Sequence, residues 1–243
     1  RRYPILTVAC GPTNSIRGAS YLSQLRDAIV IDVGGTTTDL GVIQHGFPRE
    51  SGVAVTIGGV RTNFRMPDVV SIGLGGGSIV RQQPDGTVTV GPASVGYRIT
   101  DEALCFGGAV STATDIAVRL GMVELGDPSR VADIPQTLAE AAMSAIRTLV
   151  EDAIDSMKIS SADSDVILVG GGSIVLQEDL SGAAKVVKPD HFGCANAIGS
   201  AISKVSGTYE KLINYDELPR EQALAQAKAD AVELAVEAGA IRE

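Results

Sequence analysis

The chain has 243 residues, 44% of them hydrophobic, and it contains 28 glycines. It can therefore bury a large core and is predicted to form one large domain or one and a half domains. Its 20 basic and 29 acidic residues give a net charge of −9, which argues against nucleic acid or an anionic membrane as a partner. No segment is long and apolar enough for a transmembrane helix and the start lacks a secretory pattern, so we expect a cytoplasmic protein.

The most informative segment is residues 28–43, which follow a short helical pattern at 11–22. They read as an apolar strand, a glycine turn lined with hydroxyl groups, and a returning strand. Gly34 and Gly35 have no side chain to keep backbone amides away from a bound anion. The next three residues, Thr36, Thr37 and Thr38, add hydroxyl groups that can donate hydrogen bonds. The segment therefore predicts a phosphate-binding turn.

Two carboxylates flank this turn, with Asp32 at the end of the first strand and Asp39 at the start of the second. A carboxylate repels phosphate, so we expect Asp32 to hold a hydrated divalent cation that bridges to one. The spacing of a P-loop and that of a dinucleotide-binding turn are both absent. The alternative reading is a Gly-Gly hairpin that merely carries threonines.

Further strands are predicted downstream of this turn. Residues 52–57 alternate weakly as a third strand, and a polar loop at 61–68 follows. Residues 69–80 read as a second apolar strand that ends in a glycine turn, made of Gly75, Gly76, Gly77 and Ser78. Another short strand is predicted at 87–90.

From about residue 111 the hydrophobic period becomes helical. The predicted helices are 112–120, 136–158, 193–205 and 217–238, the last with Leu224 and Leu234 on its apolar stripe. The predicted strands are 165–169 and 185–187, the first of which runs into the glycine turn Gly170, Gly171, Gly172 and Ser173. Strands that end in glycine turns, with helices between the later ones, predict an α/β fold with a mixed sheet that binds its ligand at one edge. A nucleotide fits such an edge.

Several ordered motifs now carry a family resemblance. They are DVGGTTTD at 32–39, the stretch from 46 to 80 ending in GGGSIV, the stretch 90–108 containing CFGG, TATDIAVRLG at 112–121 and ILVGGGS at 167–173. Together they resemble the second lobe of the hydantoinase/oxoprolinase family. Its members are ATP-dependent enzymes of the two-lobed, ribonuclease-H-like superfamily of actin, hexokinase and the heat-shock ATPases. The resemblance covers residues 5–206, and the tail from Tyr209 resembles the helical C-terminal part of the family.

The resemblance implies a domain organisation: residues 1–26 would enter from a first lobe, 27–206 would form the ribonuclease-H-like second lobe, and 207–243 would form C-terminal amphipathic helices. The chain starts Arg-Arg-Tyr and has only 27 residues before Ala28. We therefore expect a piece of a protein about twice as long, whose missing N-terminal lobe carries the first phosphate motif. The isolated piece is expected to be inactive, and a second subunit is a further expected partner.

The resemblance also implies roles for the residues. Residues 32–39 match the second phosphate motif, with Asp32 and Asp39 as catalytic positions, Asp32 holding Mg²⁺ or another divalent metal through water, and the glycines and threonines binding the phosphates of ATP. Residues 170–173 match the adenosine motif. A substrate or metal region is implied around Asp68, the 75–78 turn and Asp115, but Val70 stands where the family has a histidine. That departure puts a metal ligand of the larger relatives in doubt.

Three functions remain open at this stage. The first is an ATP-dependent hydrolase that opens a cyclic amide of the hydantoin, 5-oxoproline or lactam type by phosphorylating the amide. The second is a small-molecule kinase, or an ATPase of the ketone-carboxylase type, on the same fold. The third is a nucleotide-binding module without enzymatic activity.

Overall fold

The computed structural model describes residues 7–52, 56–57, 59–62, 66–158 and 160–241, and the chain divides into two compact units, Arg1–Ala201 and Ile202–Glu243. The α-helices are α1 (Cys10–Ser23), α2 (Ile99–Glu102), α3 (Ala113–Arg119), α4 (Gln136–Met157), α5 (Ala195–Ala201) and α6 (Arg220–Glu237). The strands are β1 (Ala28–Val33), β2 (Thr38–Gln44), β3 (Phe47–Pro48), β4 (Thr56–Ile57), β5 (Val60–Arg61), β6 (Val69–Ile72), β7 (Ser78–Gln82), β8 (Val88–Ser94), β9 (Ser164–Val169) and β10 (Ala183–Val187).

A six-stranded mixed sheet organises the first unit, with the order β10-β9-β1-β2-β3 and with β6 also paired to β2. β1 runs antiparallel to β2 and parallel to β9, and β10 runs parallel to β9. β6 runs antiparallel to β2, so that its last residue, Ile72, lies opposite Thr38. The ends of β1, β6 and β9 and the start of β2 therefore meet at one edge of the sheet.

Helices cover both faces of this sheet. Ile29, Ile31 and Val33 of β1 belong to a core that includes buried residues of α3 and α4. The alternate residues Ala28 and Val30 belong to a second core with buried residues of α1 and α5. Because successive side chains of a strand point to opposite faces, a wholly apolar strand requires cover on both sides. The predicted α/β class, a mixed sheet with flanking helices, is confirmed.

Several predicted elements need correction. The apolar stretch 69–80 is two strands rather than one, because β6 pairs with β2 whereas β7 turns away to pair with β8 in a separate two-stranded sheet. Of the third strand predicted at 52–57, residues 53–55 lie outside the described residues, and β4 pairs only with β5. The helix predicted at 193–205 is shorter, since α5 ends at Ala201. The helices predicted at 112–120 and 136–158 are confirmed as α3 and α4.

The helices α1 and α5 cross through two glycines. A Cβ atom on Gly18 would lie 1.9 Å from the carbonyl oxygen of Ala195, and one on Gly199 would lie 1.8 Å from that of Asn14. Both distances are far below van der Waals contact, so only residues without a side chain permit this approach. The two helices are therefore held together backbone to backbone.

Gly18→Ala is expected to destabilise the first unit by at least about 2 kcal/mol, because the new methyl group would force α1 away from α5. Gly11→Ala in the same helix is the matched control, since nothing lies within 4 Å of its Cβ position. Urea unfolding of the two variants measures the difference. Equal stabilities would contradict the close crossing.

The second unit consists of α6 and the segment before it. A Cβ on Gly207 would lie 2.0 Å from the carbonyl oxygen of Ala231, so this segment passes close to α6. The helix predicted at 217–238 is confirmed, but its stripe is displaced: Ala223 is 2% exposed, whereas Leu224 and Leu234 are 44% and 39% exposed. Across the described residues, no helix combines the length and apolar character that crossing a membrane requires.

Candidate functional site

The turn between β1 and β2 presents free hydrogen-bond donors to solvent. The Gly34 amide closes the turn by donating to the Thr37 carbonyl, at 2.9 Å. Residues 35–37 are exposed, and within the described part of the chain neither the amides of Gly35 and Thr36 nor the hydroxyls of Thr36 and Thr37 donate to a protein acceptor. Several unpaired donors on one short turn are a feature that favours the binding of an anion.

Thr38 differs from the two threonines before it. It is fully buried, and its hydroxyl donates to the carbonyl of Leu74 at 2.8 Å. The reason is the alternation of β2, which turns this side chain toward the inside of the protein. The expectation that its hydroxyl binds phosphate is therefore corrected: this hydroxyl ties the β1–β2 turn to the next glycine turn.

Two carboxylates face each other beside the turn. Asp32 and Asp39 are direct partners in the β1–β2 register, and the Ser71 hydroxyl donates to Asp39. Burial raises the pKa of Asp32 above its ordinary value, a hydrogen bond from Ser15 opposes this rise, and the nearby Asp39 charge adds to it. Like charges placed across a strand pair destabilise the fold. A bound cation would offset both the repulsion between the two carboxylates and the cost of burying the charge of Asp32.

Asp32→Asn is expected to raise the midpoint of thermal unfolding at neutral pH. Because the folded-state pKa of Asp32 is raised, the charged form destabilises the fold at every pH above that pKa, and the penalty disappears as the pH falls through it. The advantage of asparagine should therefore shrink on acidification. Calorimetry over a series from neutral to acidic pH measures it, and an advantage that grows toward acid would contradict the assignment.

The glycine turn at 75–77 packs directly on the β1–β2 turn. The amides of Gly76 and Gly77 donate to the carbonyls of Gly34 and Gly35, at 3.0 and 2.8 Å. A Cβ on Gly75 would lie 2.5 Å from the amide nitrogen of Thr36. The Ser78 hydroxyl caps this turn by accepting from the Gly75 amide at 2.8 Å. These residues are brought to the site, where two of their amides hold the neighbouring turn.

The glycine turn at 170–173 also packs on the end of β1 and on the Gly34 carbonyl. A Cβ on Gly170 would lie 2.3 Å from Oδ1 of Asp32, and one on Gly172 would lie 2.2 Å from the carbonyl oxygen of Gly34. By contrast, nothing lies within 4 Å of the Cβ position of Gly171. The Ser173 hydroxyl is buried and has no hydrogen-bond partner among the described residues. All three predicted glycine turns therefore meet at the carbonyl of Gly34, two residues after Asp32.

Asp68 lies away from this site. It precedes β6, which starts opposite Gly41 and runs toward the turns, so Asp68 stands at the opposite end of that strand. Its carboxylate pairs with Arg49, at 2.7 Å from the guanidinium. Val70 lies opposite Leu40 in the middle of the strand pair. The antiparallel register of β2 and β6 thus corrects the expectation that Asp68 and the 75–78 turn form one region.

Asp115 is completely buried at the start of α3. Its carboxylate accepts from the amide and hydroxyl of Thr112, both at 2.8 Å, and from the amides of Leu104 and Cys105 at 3.2 and 2.7 Å. With Thr112 it forms a capping box. Its neighbour Thr114 does reach the turns, because the Thr114 hydroxyl donates to the Gly76 carbonyl at 2.9 Å.

Asp115→Ala is expected to cost about 3–5 kcal/mol of unfolding free energy, because four donors, three of them buried, lose a charged acceptor. Thr114→Ala removes a single hydroxyl beside it and should cost about 1 kcal/mol. Denaturant unfolding compares them. A stable Asp115→Ala variant that has lost ATP turnover would instead give Asp115 a direct functional role.

Reading the sequence missed four side chains around the site: Ser15, Ser71, Asn196 and Lys188. Lys188 follows β10, its amine lies 3.4 Å from the Ser173 carbonyl and 4.3 Å from the centre of the Phe192 ring, and burial lowers its pKa while Glu178 opposes this. Lys188 could have been predicted from its position, because it directly follows a strand that ends at the edge of the sheet where a ligand is expected. Ser15 and Asn196 lie in helices and carried no such signal.

The donor set fits a magnesium–nucleotide complex. Mg²⁺ is typically held by one or two carboxylates together with substrate phosphates and waters. Asp32 and Asp39 supply the carboxylates, and residues 35–37 supply phosphate donors beside them. The described residues contain no cluster of three or more metal-binding side chains. Two carboxylates beside phosphate donors therefore suit a cation that arrives with a nucleotide.

Two curated relatives share part of this sequence. The gamma subunit of acetophenone carboxylase from Aromatoleum aromaticum is 31% identical over 117 residues, which is 46% of this chain and 16% of that protein. The alpha subunit of caprolactamase from Pseudomonas jessenii is 27% identical over 158 residues, which is 63% of this chain and 22% of that protein. The chain thus spans about a fifth of the length of these relatives.

Two solved structures share the fold. A nucleotide-free acetone carboxylase superposes with a TM-score of 0.67 at 22% identity, covering 93% of this chain and 37% of its own. The ATP-dependent caprolactamase from Pseudomonas jessenii superposes with a TM-score of 0.71 at 21% identity, covering 94% of this chain and 38% of its own. The matching lobes have the actin-like ATPase fold. The sequence profile described as hydantoinase/oxoprolinase matches residues 1–127, and this chain belongs to that family.

Proposed function

We propose that this chain is the nucleotide-binding lobe of an ATP-dependent enzyme that opens a cyclic amide, such as a hydantoin, 5-oxoproline or a lactam. The observation that carries the proposal is the turn at 35–37, whose free donors stand beside the facing carboxylates of Asp32 and Asp39. Similarity to a caprolactamase subunit supports the choice of an amide as the bond that is opened.

The chemistry follows from the weakness of an amide as an electrophile. The amide oxygen would attack the γ-phosphoryl group with ADP as the leaving group, which makes the amide carbon open to attack by water. The C–N bond then breaks, so that the nitrogen leaves as an amine and the carbon becomes an acyl phosphate. A second water hydrolyses this acyl phosphate to the carboxylic acid and phosphate. For such a transfer, the work of the protein is to position the reactants and neutralise charge.

Each residue of the site has a role in this scheme. When bound, Mg²⁺ supplies positive charge to the phosphate oxygens. Asp32 would hold the waters of the metal, and Asp39, held by Ser71, would orient the shell of the metal. The amides and hydroxyls at 35–37 would donate to the phosphates. The turn at 170–173, with Lys188 beside it, would lie against the nucleoside.

The remainder of the enzyme is also part of the proposal. This chain covers 37% and 38% of the two solved relatives. We assign residues 27–206 to a second ATPase lobe, 1–26 to its entry from a first lobe, and 207–243 to a helical tail. A first lobe would supply the other phosphate contacts, so the isolated chain should release no ADP. Both curated relatives are subunits, which supports a partner subunit. The cytoplasmic location remains a prediction.

A ketone-carboxylating ATPase is the second candidate. It is favoured by the 31% identity to an acetophenone carboxylase subunit and by the fold shared with acetone carboxylase. The two candidates use the same nucleotide site and differ in what receives the phosphoryl group.

ADP release by the full-length protein tests the proposal. The protein is incubated with ATP, Mg²⁺ and a panel of hydantoins, lactams and ketones, the last with bicarbonate, and products are identified by mass spectrometry. A ring-opened acid formed with ADP supports the hydrolase, and stimulation by a ketone with bicarbonate supports the carboxylase. A stable phosphorylated substrate would instead identify a kinase, and tight ATP binding without turnover across the panel would overturn enzymatic function.

A further inference from the structure

The segment at 94–98, from the end of β8 to the start of α2, also packs on the site. The Ser94 hydroxyl donates to the carbonyl of Gly35, at 3.4 Å. The amide of Val95 donates to the carbonyl of Gly77, at 3.0 Å, and the Val95 side chain is buried. The segment is therefore anchored both to the β1–β2 turn, which carries the phosphate donors, and to the glycine turn that packs on it.

This segment carries Tyr97 next to the phosphate donors. The residue before it, Gly96, donates its amide to the Ser94 hydroxyl at 3.0 Å, and a Cβ on Gly96 would lie 3.8 Å from Oγ1 of Thr36. Tyr97 is one residue farther along the chain. It is 94% exposed, the highest exposure of any aromatic residue in the described part of the chain. Its ring is thus offered to solvent close to the donors.

The position of this ring gives it a use. A single exposed aromatic residue on a surface is ordinary. This one, however, lies on a segment that hydrogen bonds hold beside the place where the reacting phosphoryl group would bind. Tyrosine has few rotatable bonds, so it supplies a large contact area at a small entropic cost. The molecule that receives the phosphoryl group has to lie next to the phosphate donors, and it therefore comes close to Tyr97.

The charges around this segment favour an uncharged substrate. Asp32 and Asp39 place two carboxylates beside the donors, and bound phosphates add more negative charge. The next residue after Tyr97 is Arg98, whose guanidinium lies 3.0 Å from the carboxylate of Glu102 and is already paired. A carboxylate on the substrate would compete with Glu102 for this cation and would be repelled by the other acids. A neutral ring meets no such cost.

We propose that the ring of the substrate packs against Tyr97 and that this substrate is an uncharged cyclic amide, either a lactam or a hydantoin without an acidic substituent. The proposal rests on the proposed function, which it narrows by excluding 5-oxoproline, a cyclic amide that carries a carboxylate. Tyr97 contacts the substrate and takes no part in the transfer of the phosphoryl group. Its role is to determine specificity.

Tyr97→Ala in the full-length protein tests the contact. With ATP, Mg²⁺ and either 2-pyrrolidinone or hydantoin, we expect the KM for the amide to rise about 10-fold, because the substrate loses the apolar surface on which it packs. The KM for ATP and the melting temperature should not change. Tyr97→Phe keeps the ring and should retain the KM of the unchanged protein. Tyr21→Ala, at an exposed tyrosine near the end of α1, is the matched control.

Two matched pairs of compounds test the charge. 5-Oxoproline is 2-pyrrolidinone with a carboxylate, and hydantoin-5-acetic acid is hydantoin with one. The kcat/KM for the neutral member should exceed that for the acid by at least about 10-fold. An acid used as well as its neutral partner would overturn the proposal while the proposed function stands. So would an unchanged KM for both amides in Tyr97→Ala, or an equal rise in the KM for ATP. Absence of ADP release with any cyclic amide would overturn the proposed function as well.

Discussion

Asp32→Ala should lower ADP release by the full-length protein on the order of 1,000-fold or more, because it removes the carboxylate that we assign to the cation of the nucleotide. The fold should survive the change. Burial raises the pKa of Asp32, which means that the folded protein gains nothing from the charge itself. Steady-state ADP release and thermal unfolding, measured on the same preparation, separate the two effects.

Asp152→Ala is the matched control for this experiment. Asp152 is an exposed aspartate on α4, so its loss should leave both turnover and melting temperature within error of the unchanged protein. Turnover by Asp32→Ala close to that of the control would refute the metal role. A collapse of its melting temperature would mean that Asp32 supports the fold instead.

Gly172→Ala should cost about 2–4 kcal/mol of unfolding free energy, at or above the usual range for overpacking. Its new Cβ would stand 2.2 Å from the carbonyl oxygen of Gly34 and 2.9 Å from that of Val33. Both contacts are backbone atoms of the β1–β2 turn, so relief requires that this turn move. We therefore also expect a weaker apparent affinity for ATP in the full-length protein.

The neighbouring Gly171→Ala tests the same chemistry without the clash. Nothing lies within 4 Å of its Cβ position. Its stability should remain within about 0.5 kcal/mol of the unchanged protein, as for ordinary surface substitutions. Denaturant unfolding and the KM for ATP are measured for both variants. Similar behaviour of the pair would show that the 170–173 turn does not pack on the phosphate turn.

Much of the fold could be predicted because its signals are local. β1 is apolar throughout because it is buried on both faces, and α4 has apolar residues at regular spacing because it is buried on one face. Both patterns can be seen directly in the order of residues. The residue order also predicted that strands end in glycines at 34–35, 75–77 and 170–172. Family membership follows from the same ordered motifs.

The candidate site was predicted only in outline, because hydrogen-bond partners are not local. Thr36, Thr37 and Thr38 look equivalent in the sequence, yet strand alternation buries Thr38 against Leu74 and leaves the other two exposed. Asp68 stands a few residues before the 75–78 turn, yet the antiparallel register carries it to the far end of β6.

By itself, then, the sequence determined which turns and carboxylates this protein has and the family to which it belongs. Tertiary structure decided how they are used. It stacked the three glycine turns on one another, and it brought Asn196 within hydrogen-bond distance of Ser15, 181 positions away in the chain. The physical reason is that backbone propensity and hydrophobic period act over a few residues, whereas close packing and hydrogen-bond pairing are settled between segments that meet only in the folded state.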